Sequence, residues 1–451
     1  MSTASLLSSY LDSLSGYPVF LAHNSNVDAM ASVDDDLADA LGAPADDPAA
    51  GSIDSPGELS RLIAESMEQG EGNLVAMTDE FGTWLEDNLE ADETRLGGQA
   101  GIMADLLSVF EADPLLYTYL LTETQRSMFD DPASIRFPVV EDGELEIAPA
   151  SEVTNADATK INWIFEFEEA DEFHGAKAAA DTRFIAAARP ERVNLDTGLT
   201  PYADELASEV DCALLSGLHS LKTEYADGTT YEDRIEDGRE FIRALKADGD
   251  LPVQVEYGVT HKEGLRKAIA KRILPEVDAV GMDSRELDLV LGDLGLDDPT
   301  EGDGIVDTYN QLARVRDAVG LDCVKVHRTH YFMAVTSEDY LAPDAIRRGW
   351  DFASIVVAAK ATSGTVTEAE DLADGLDVDY SDTGLDAVDE LAEHLDAPVE
   401  DDAVATDEVV LHPNRVVDDP DSTVGLGDAV SVSNFALEQA LADQPEQSIS
   451  H

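Results

Sequence analysis

The sequence predicts an α/β protein, with a mostly parallel central sheet covered by helices and a smaller, strand-containing lid domain inserted into it. Three observations carry this. Short apolar runs alternate with polar, helix-like stretches, most regularly from about residue 205 onward. Two regions, 30–95 and 135–195, break the alternation. A glycine-rich turn precedes an amphipathic run that starts near Ala429. Alternating strands and helices favour a parallel sheet buried on both faces, because parallel strands need crossovers of helix length.

Taken in order, strands are predicted at 18–23, 115–120, 161–167, 213–218, 253–257, 277–282, 324–336 and 409–417. Each is a run rich in β-branched or large apolar residues. Helical spacing of apolar residues predicts helices over 231–247, 263–274 and 308–319. Region 30–95 is rich in Ala, Asp, Glu and Gly and carries one weak strand at 74–77. Region 135–195 has strands but few helices, including 183–188. Both patches are assigned to the lid, leaving 1–29, 96–134 and 196–451 to the large domain.

The charge balance is extreme. The 451 residues carry 96 acids against 28 bases, a formal charge of −68. Hydrophobic residues still make up 43% of the chain, and the acids are spread rather than blocked. That pattern fits a solvated surface on a folded core, not disorder. Self-repulsion at this charge is tolerable where salt shortens the Debye length to about 3 Å, near 1 M. A salt-rich cytoplasm is therefore expected. Nucleic acid and anionic membranes are disfavoured as partners, since no basic stripe exists to neutralise phosphates. Cys212 and Cys323 sit in apolar runs, as reduced core thiols would. No apolar run approaches the length of a membrane helix, so a soluble, cytoplasmic protein is expected.

The most informative segment is Thr423-Val424-Gly425-Leu426-Gly427-Asp428, leading into the amphipathic run. Glycines two apart before an aspartate place exposed amides and a carboxylate at a helix N-terminus. Such a terminus binds phosphate through its N–H groups and dipole. Asp428 there would take a proton from an acceptor hydroxyl while the amides of Gly425, Leu426 and Gly427 stabilise a transferring phosphoryl group. Taken alone, the turn fits a simple aspartate N-cap equally well. A P-loop phosphotransferase is disfavoured, because no Gly-x4-Gly-Lys-Ser/Thr stretch occurs.

With further segments the chain resembles the ADP-dependent glucokinase and phosphofructokinase family, archaeal relatives of ribokinase. The segments run in the family's order. They are Asn24-Ser25-Asn26-Val27-Asp28-Ala29, Leu96-Gly97-Gly98-Gln99-Ala100-Gly101 and Trp163-Ile164-Phe165-Glu166-Phe167. Arg183-Phe184-Ile185, Gly217-Leu218-His219, Val255-Glu256 and Val280-Gly281-Met282-Asp283-Ser284-Arg285-Glu286-Leu287 follow, then Val326-His327 and the Asp428 segment. The resemblance implies a ribokinase-like fold and Mg²⁺-dependent phosphoryl transfer from a nucleotide, usually ADP, to a sugar or sugar phosphate. It implies sugar contacts by Asn26, Asp28, Gly97, Gly98 and Gln99. It also implies a phosphate contact by the lid residue Arg183, and a nucleotide site bordered by Val424, His327 and Tyr331. Each has an ordinary alternative: Asp28 as a helix cap, Gly97 and Gly98 as a plain turn, Arg183 as a surface ion pair, His327 as a core histidine.

Two departures fall at the metal. The family's His-x-Glu is Gln254-Val255-Glu256 here, and its Asn-x-x-Glu is Asp283-Ser284-Arg285-Glu286. Glu256, Glu286 and Asp283 remain the expected Mg²⁺ residues, since Mg²⁺ prefers oxygen ligands and keeps several waters. The departures leave ATP open as the donor, with a pentose phosphate as acceptor. They also motivate a non-catalytic nucleotide or sugar sensor as the competing class. Lys160, Lys177, Arg183 and Arg189 near the lid favour a phosphorylated acceptor.

Overall fold

The computed structural model describes residues 3–46, 51–156, 158–188, 195, 198–247, 249, 251–298, 302–422 and 424–444. Arg189 and Thr423, singled out above, lie outside them. The chain opens with a helix, Thr3–Leu14, and then β1 (Pro18–His23) and β2 (Asn26–Ser32). Next come β3 (Asn73–Met77), β4 (Glu93–Gly97), β5 (Asp113–Thr118), and the pair β6 (Arg136–Glu141) and β7 (Glu144–Pro149). They are followed by β8 (Ile161–Phe167), β9 (Glu172–Phe173), β10 (Ala176–Lys177) and β11 (Thr182–Ala188). The last part supplies β12 (Cys212–Leu215), β13 (Val253–Glu256), β14 (Ala279–Asp283), β15 (Cys323–His327) and β16 (Tyr331–Thr336). The short β17 (Val399–Glu400) and β18 (Ala403–Ala405) precede β19 (Val409–Pro413).

These strands form a 12-stranded sheet in the order β17-β18-β19-β16-β15-β14-β13-β12-β1-β5-β6-β7, a five-stranded sheet β3-β11-β8-β2-β4 and a two-stranded antiparallel ribbon of β9 and β10. From β15 across to β6 the large sheet is parallel. Strands β16, β18 and β19 extend one edge antiparallel. Each sheet has its own apolar core. The smaller one packs Phe165, Phe184 and Trp163 against Leu59, Ile63 and Met67 of the helix Pro56–Gln69. The α/β class and the mostly parallel sheet agree with the sequence.

The lid boundaries do not. Residues 136–149 were assigned to the lid, yet β6 pairs with β5 and β7 folds back on it, completing the edge of the large sheet. The turn Asp142-Gly143 has φ of 52 and 86°, the left-handed pair that closes a tight hairpin. A strand pair without helices looked like lid because an edge hairpin needs no crossover. Conversely, the boundaries at 29/30 and 95/96 cut through Asn26–Ser32 and Glu93–Gly97, which pair with each other in the lid sheet. Asp28 therefore lies in a strand and caps no helix. The chain passes between the two sheets four times: after His23, after Gly97, before Ile161 and between Ala188 and Cys212.

Candidate active site

Strands β1 and β12 to β15 end at one edge of the large sheet, where parallel α/β sheets place their ligands. Beside this edge the chain turns through Val424 and Gly425 into the helix Leu426–Asp443. Gly425 adopts φ +68°, which only glycine takes without strain, and the helix has no side-chain cap. Its first amides are thus left for a ligand. A side chain on Gly425 would press within 3.0 Å of Ile102, and one on Gly427 within 3.1 Å of the His327 ring. Both glycines are needed for close approach. Val424 donates its N–H to Ser422 Oγ at 3.2 Å.

Asp428 lies in the first turn of this helix. Burial, with the nearby Glu256 charge, pushes its carboxyl up to about 7; His327, Lys360 and a hydrogen bond from Gln99 act in the opposite direction. Glu256, at the end of β13, accepts from Ser431 Oγ at 2.5 Å and lies 3.2 Å from His327 Nε2. Burial disfavours the charged His327 ring, but Glu256, Asp283 and Asp428 outweigh it and raise the pKa. Gln254 is fully buried two residues before Glu256, and neither of its polar side-chain atoms has a partner.

Asp283 and Glu286 form a reciprocal cap on the helix Ser284–Leu294. Asp283 Oδ1 accepts from Glu286 N and Glu286 Oε2 from Asp283 N, both at 2.8 Å. Burial holds Glu286 well above the ordinary carboxylate range, helped by Asp283, Glu256 and Asp428. Among the described residues no three His, Cys, Asp or Glu side chains converge to ligate an ion directly. The four carboxylates are nevertheless close enough to influence one another. An all-oxygen set of this charge suits Mg²⁺ that keeps most of its water, and does not suit an ion caged by protein ligands.

The lid side is joined to Asp428 through three consecutive residues. Asn26 and Asp28 are buried in β2, with Asn26 Nδ2 donating to Asp28 Oδ1 at 2.6 Å and Asn162 Nδ2 at 3.3 Å. Lys160 Nζ donates to Asn24 Oδ1 at 2.8 Å and Asn26 Oδ1 at 3.4 Å. Burial pushes Asp28 up to about 6 against Asn162, Lys160, Asn26 and Arg183. Gly97 pairs with Asn26, and a Cβ on it would stand 2.3 Å from Asp28 Oδ2. Gly98 turns the chain with φ +82° directly against Ser25 and Asn24. Gln99 then bonds Asp428 and accepts from Gly217 N at 3.0 Å. Two peptide steps span at most about 7 Å, so Asp28 and Asp428 belong to one locality.

Arg183 lines a cavity of about 1210 Å³ between the sheets, with Leu74 and Glu166 from the lid and His219, His261 and Lys262 opposite. Lys177 is exposed on β10. His327 and Tyr331 are not brought together. His327 pairs with Phe332, so Tyr331 points to the other face of the sheet, where its hydroxyl lies 3.4 Å from Thr308 Oγ1. Tyr331 instead borders a separate cavity of about 430 Å³ with Arg328 and His330. Sequence reasoning missed Lys360 and Asn162. Neither stands in a recognisable motif; only the helix Pro343–Ser363 and the β2–β8 pairing bring them in.

Known proteins resemble this chain over nearly its whole length. The sequence pattern described as the ADP-specific Phosphofructokinase/Glucokinase conserved region matches residues 17–437. An ADP-specific phosphofructokinase of Thermococcus zilligii is 31% identical over 94% of this chain and 96% of its own. An ADP-dependent glucose/glucosamine kinase of Pyrococcus abyssi is 28% identical over 78% of this chain and 77% of its own. Among solved structures, an ADP-dependent kinase complex with fructose-6-phosphate and ADPβS superposes with a TM-score of 0.84 at 31% identity, covering 98% of both chains. The last common ancestor of ADP-dependent phosphofructokinases from Methanosarcinales gives 0.83 at 30% identity, with 98% of both chains covered. The chain therefore belongs to the ADP-specific phosphofructokinase/glucokinase family.

Proposed function

We propose that the protein moves the terminal phosphoryl group of ADP onto a hydroxyl of a sugar phosphate, fructose 6-phosphate first among the candidates, with Asp428 as base. The observation that carries the reading is a carboxyl raised to about 7 in the first turn of an uncapped helix, beside two glycines that keep its amides open. Asp428 would take the proton of the acceptor hydroxyl as that oxygen bonds to phosphorus and AMP departs. The amides of Gly425, Leu426 and Gly427 would stabilise the charge on the transferring group. Asn26 and Asp28 would hold sugar hydroxyls, and Gln99 would fix the Asp428 carboxylate between them and the helix. Arg183 is read as a phosphate contact. Glu256, Glu286 and Asp283 would hold Mg²⁺ through its waters, and the ion, when bound, neutralises phosphate charge.

A phosphorylated acceptor is favoured over glucose for two reasons. Nearly whole-chain similarity runs to a phosphofructokinase, whereas the glucose/glucosamine kinase matches less of the chain. A chain of charge −68 also needs local cations to hold an anionic substrate, and Lys160, Arg183 and Lys262 lie on the lid side or in the cavity wall. The reading includes a salt-rich cytoplasm, supported by that charge and by two buried free thiols. The test crosses ADP and ATP with fructose 6-phosphate, glucose and ribose 1-phosphate in Mg²⁺ and concentrated KCl. ADP with fructose 6-phosphate is expected to give AMP and a bisphosphate at the highest kcat/KM. Ligand-induced stabilisation with no product from any pair contradicts the kinase.

A further inference from the structure

Beneath the site a buried polar row runs between the large sheet and the helix that carries Asp428. Strand register sets Glu256, Gly281 and Lys325 side by side on β13, β14 and β15. Gly281 is small because a Cβ there would lie 2.4 Å from Glu256 Oε2. Lys325 is 1% exposed, and its Nζ donates to Asn434 Oδ1 at 2.7 Å and to Glu438 Oε1. Tyr340 donates to the same Glu438 oxygen at 2.8 Å. Trp350 and Phe435 wall the ammonium at 5.8 and 5.3 Å from their ring centres.

Asp428, Ser431, Asn434 and Glu438 follow one another at three, three and four residues, so they share one face of the helix. Ser431 is held by Glu256, and Asn434 and Glu438 are held by Lys325. Apolar packing of a helix on a sheet is non-directional and resists sliding or rotation only weakly. Directional bonds from a buried cation fix both. A shift of about 1 Å in a reacting group costs on the order of a hundredfold in rate.

We propose that Lys325 is a positioning residue that locks the register of the Asp428 helix on the sheet through Asn434 and Glu438. The proposal rests on Asp428 being the base. A purely structural pair makes a different prediction, because replacing a buried ion pair by apolar side chains is often neutral or stabilising.

The test compares wild type, Lys325→Met/Glu438→Leu and the isosteric Glu438→Gln for melting temperature, kcat and both KM values at one KCl concentration. The double variant, in which Asn434 and Tyr340 also lose a partner, is expected to melt modestly below wild type while kcat falls about ten- to a hundredfold and KM for ADP and for the sugar phosphate stays put. Glu438→Gln, which keeps volume and an acceptor, is expected to lose kcat severalfold, again without a KM change. A folded double variant with wild-type kcat overturns the proposal. So does a kcat loss that tracks melting temperature and KM together. If the double variant does not fold, an unchanged kcat in Glu438→Gln overturns it. A wild type that forms no product removes the kinase reading and this one together, whereas an active wild type with equally active variants removes only this one.

Discussion

At Asp428 the same burial that suits a base also costs stability. A base serves best when its pKa lies near the working pH, and burial beside Glu256 pushes Asp428 up to about 7. Turnover should therefore rise with pH through about 7 and level off above it, measured as kcat/KM at constant KCl. A profile flat from about pH 6 to 8 contradicts the assignment. The linkage has the opposite sign. A folded-state pKa above the unfolded value gives stability that is complete below the unfolded pKa, about 3.9, and lost as pH rises through about 7. Asp428→Asn should accordingly melt higher than wild type at about pH 8, with the gap closing toward about pH 4. Asp28, raised to about 6, adds to the same trend at lower pH.

The helix Ser284–Leu294 shows what sequence reading resolves and what it does not. Asp283 and Glu286 were read as metal residues from their place in the family pattern, and the structure gives them a capping role as well. Asparagine caps as well as aspartate, so Asp283→Asn should leave the melting temperature nearly unchanged. It removes one charge from the carboxylate set, so the Mg²⁺ concentration for half-maximal rate should rise. Unchanged Mg²⁺ demand would confine Asp283 to capping. Strands with continuous apolar runs, such as β1 and β12, were legible because burial on both faces leaves a plain signature. Strand β2 was not, since Asn26 and Asp28 interrupt it and are buried through hydrogen bonds that no local pattern announces. The Asp428 turn could be read because glycine spacing reflects backbone approach. Lys325 and Lys360 could not, because their partners stand on distant elements.

Over the whole molecule, two cores are wrapped in a surface of net charge −68. Many of the ion pairs bridge exposed groups, such as Arg95 with Glu93 and Lys267 with Glu263. Such pairs contribute about 0–1 kcal/mol each and cannot offset the surplus of acids. Screening can, once the Debye length falls to about 3 Å near 1 M salt. The melting temperature should climb steeply between about 0.1 and 1 M KCl, followed by circular dichroism. Indifference to KCl would mean that the acids are not the controlling feature. Lys325 and Glu438, buried away from the ions, should hold over the same range.

The most direct measurement is the turnover of Asp428→Asn beside its affinity for ADP. The account predicts a kcat lower by about 10²–10⁴-fold with ADP binding retained, because the lost group acts on the acceptor's proton rather than on the nucleotide. A variant that still turns over at near wild-type rate, folded and saturated with both substrates, would contradict it.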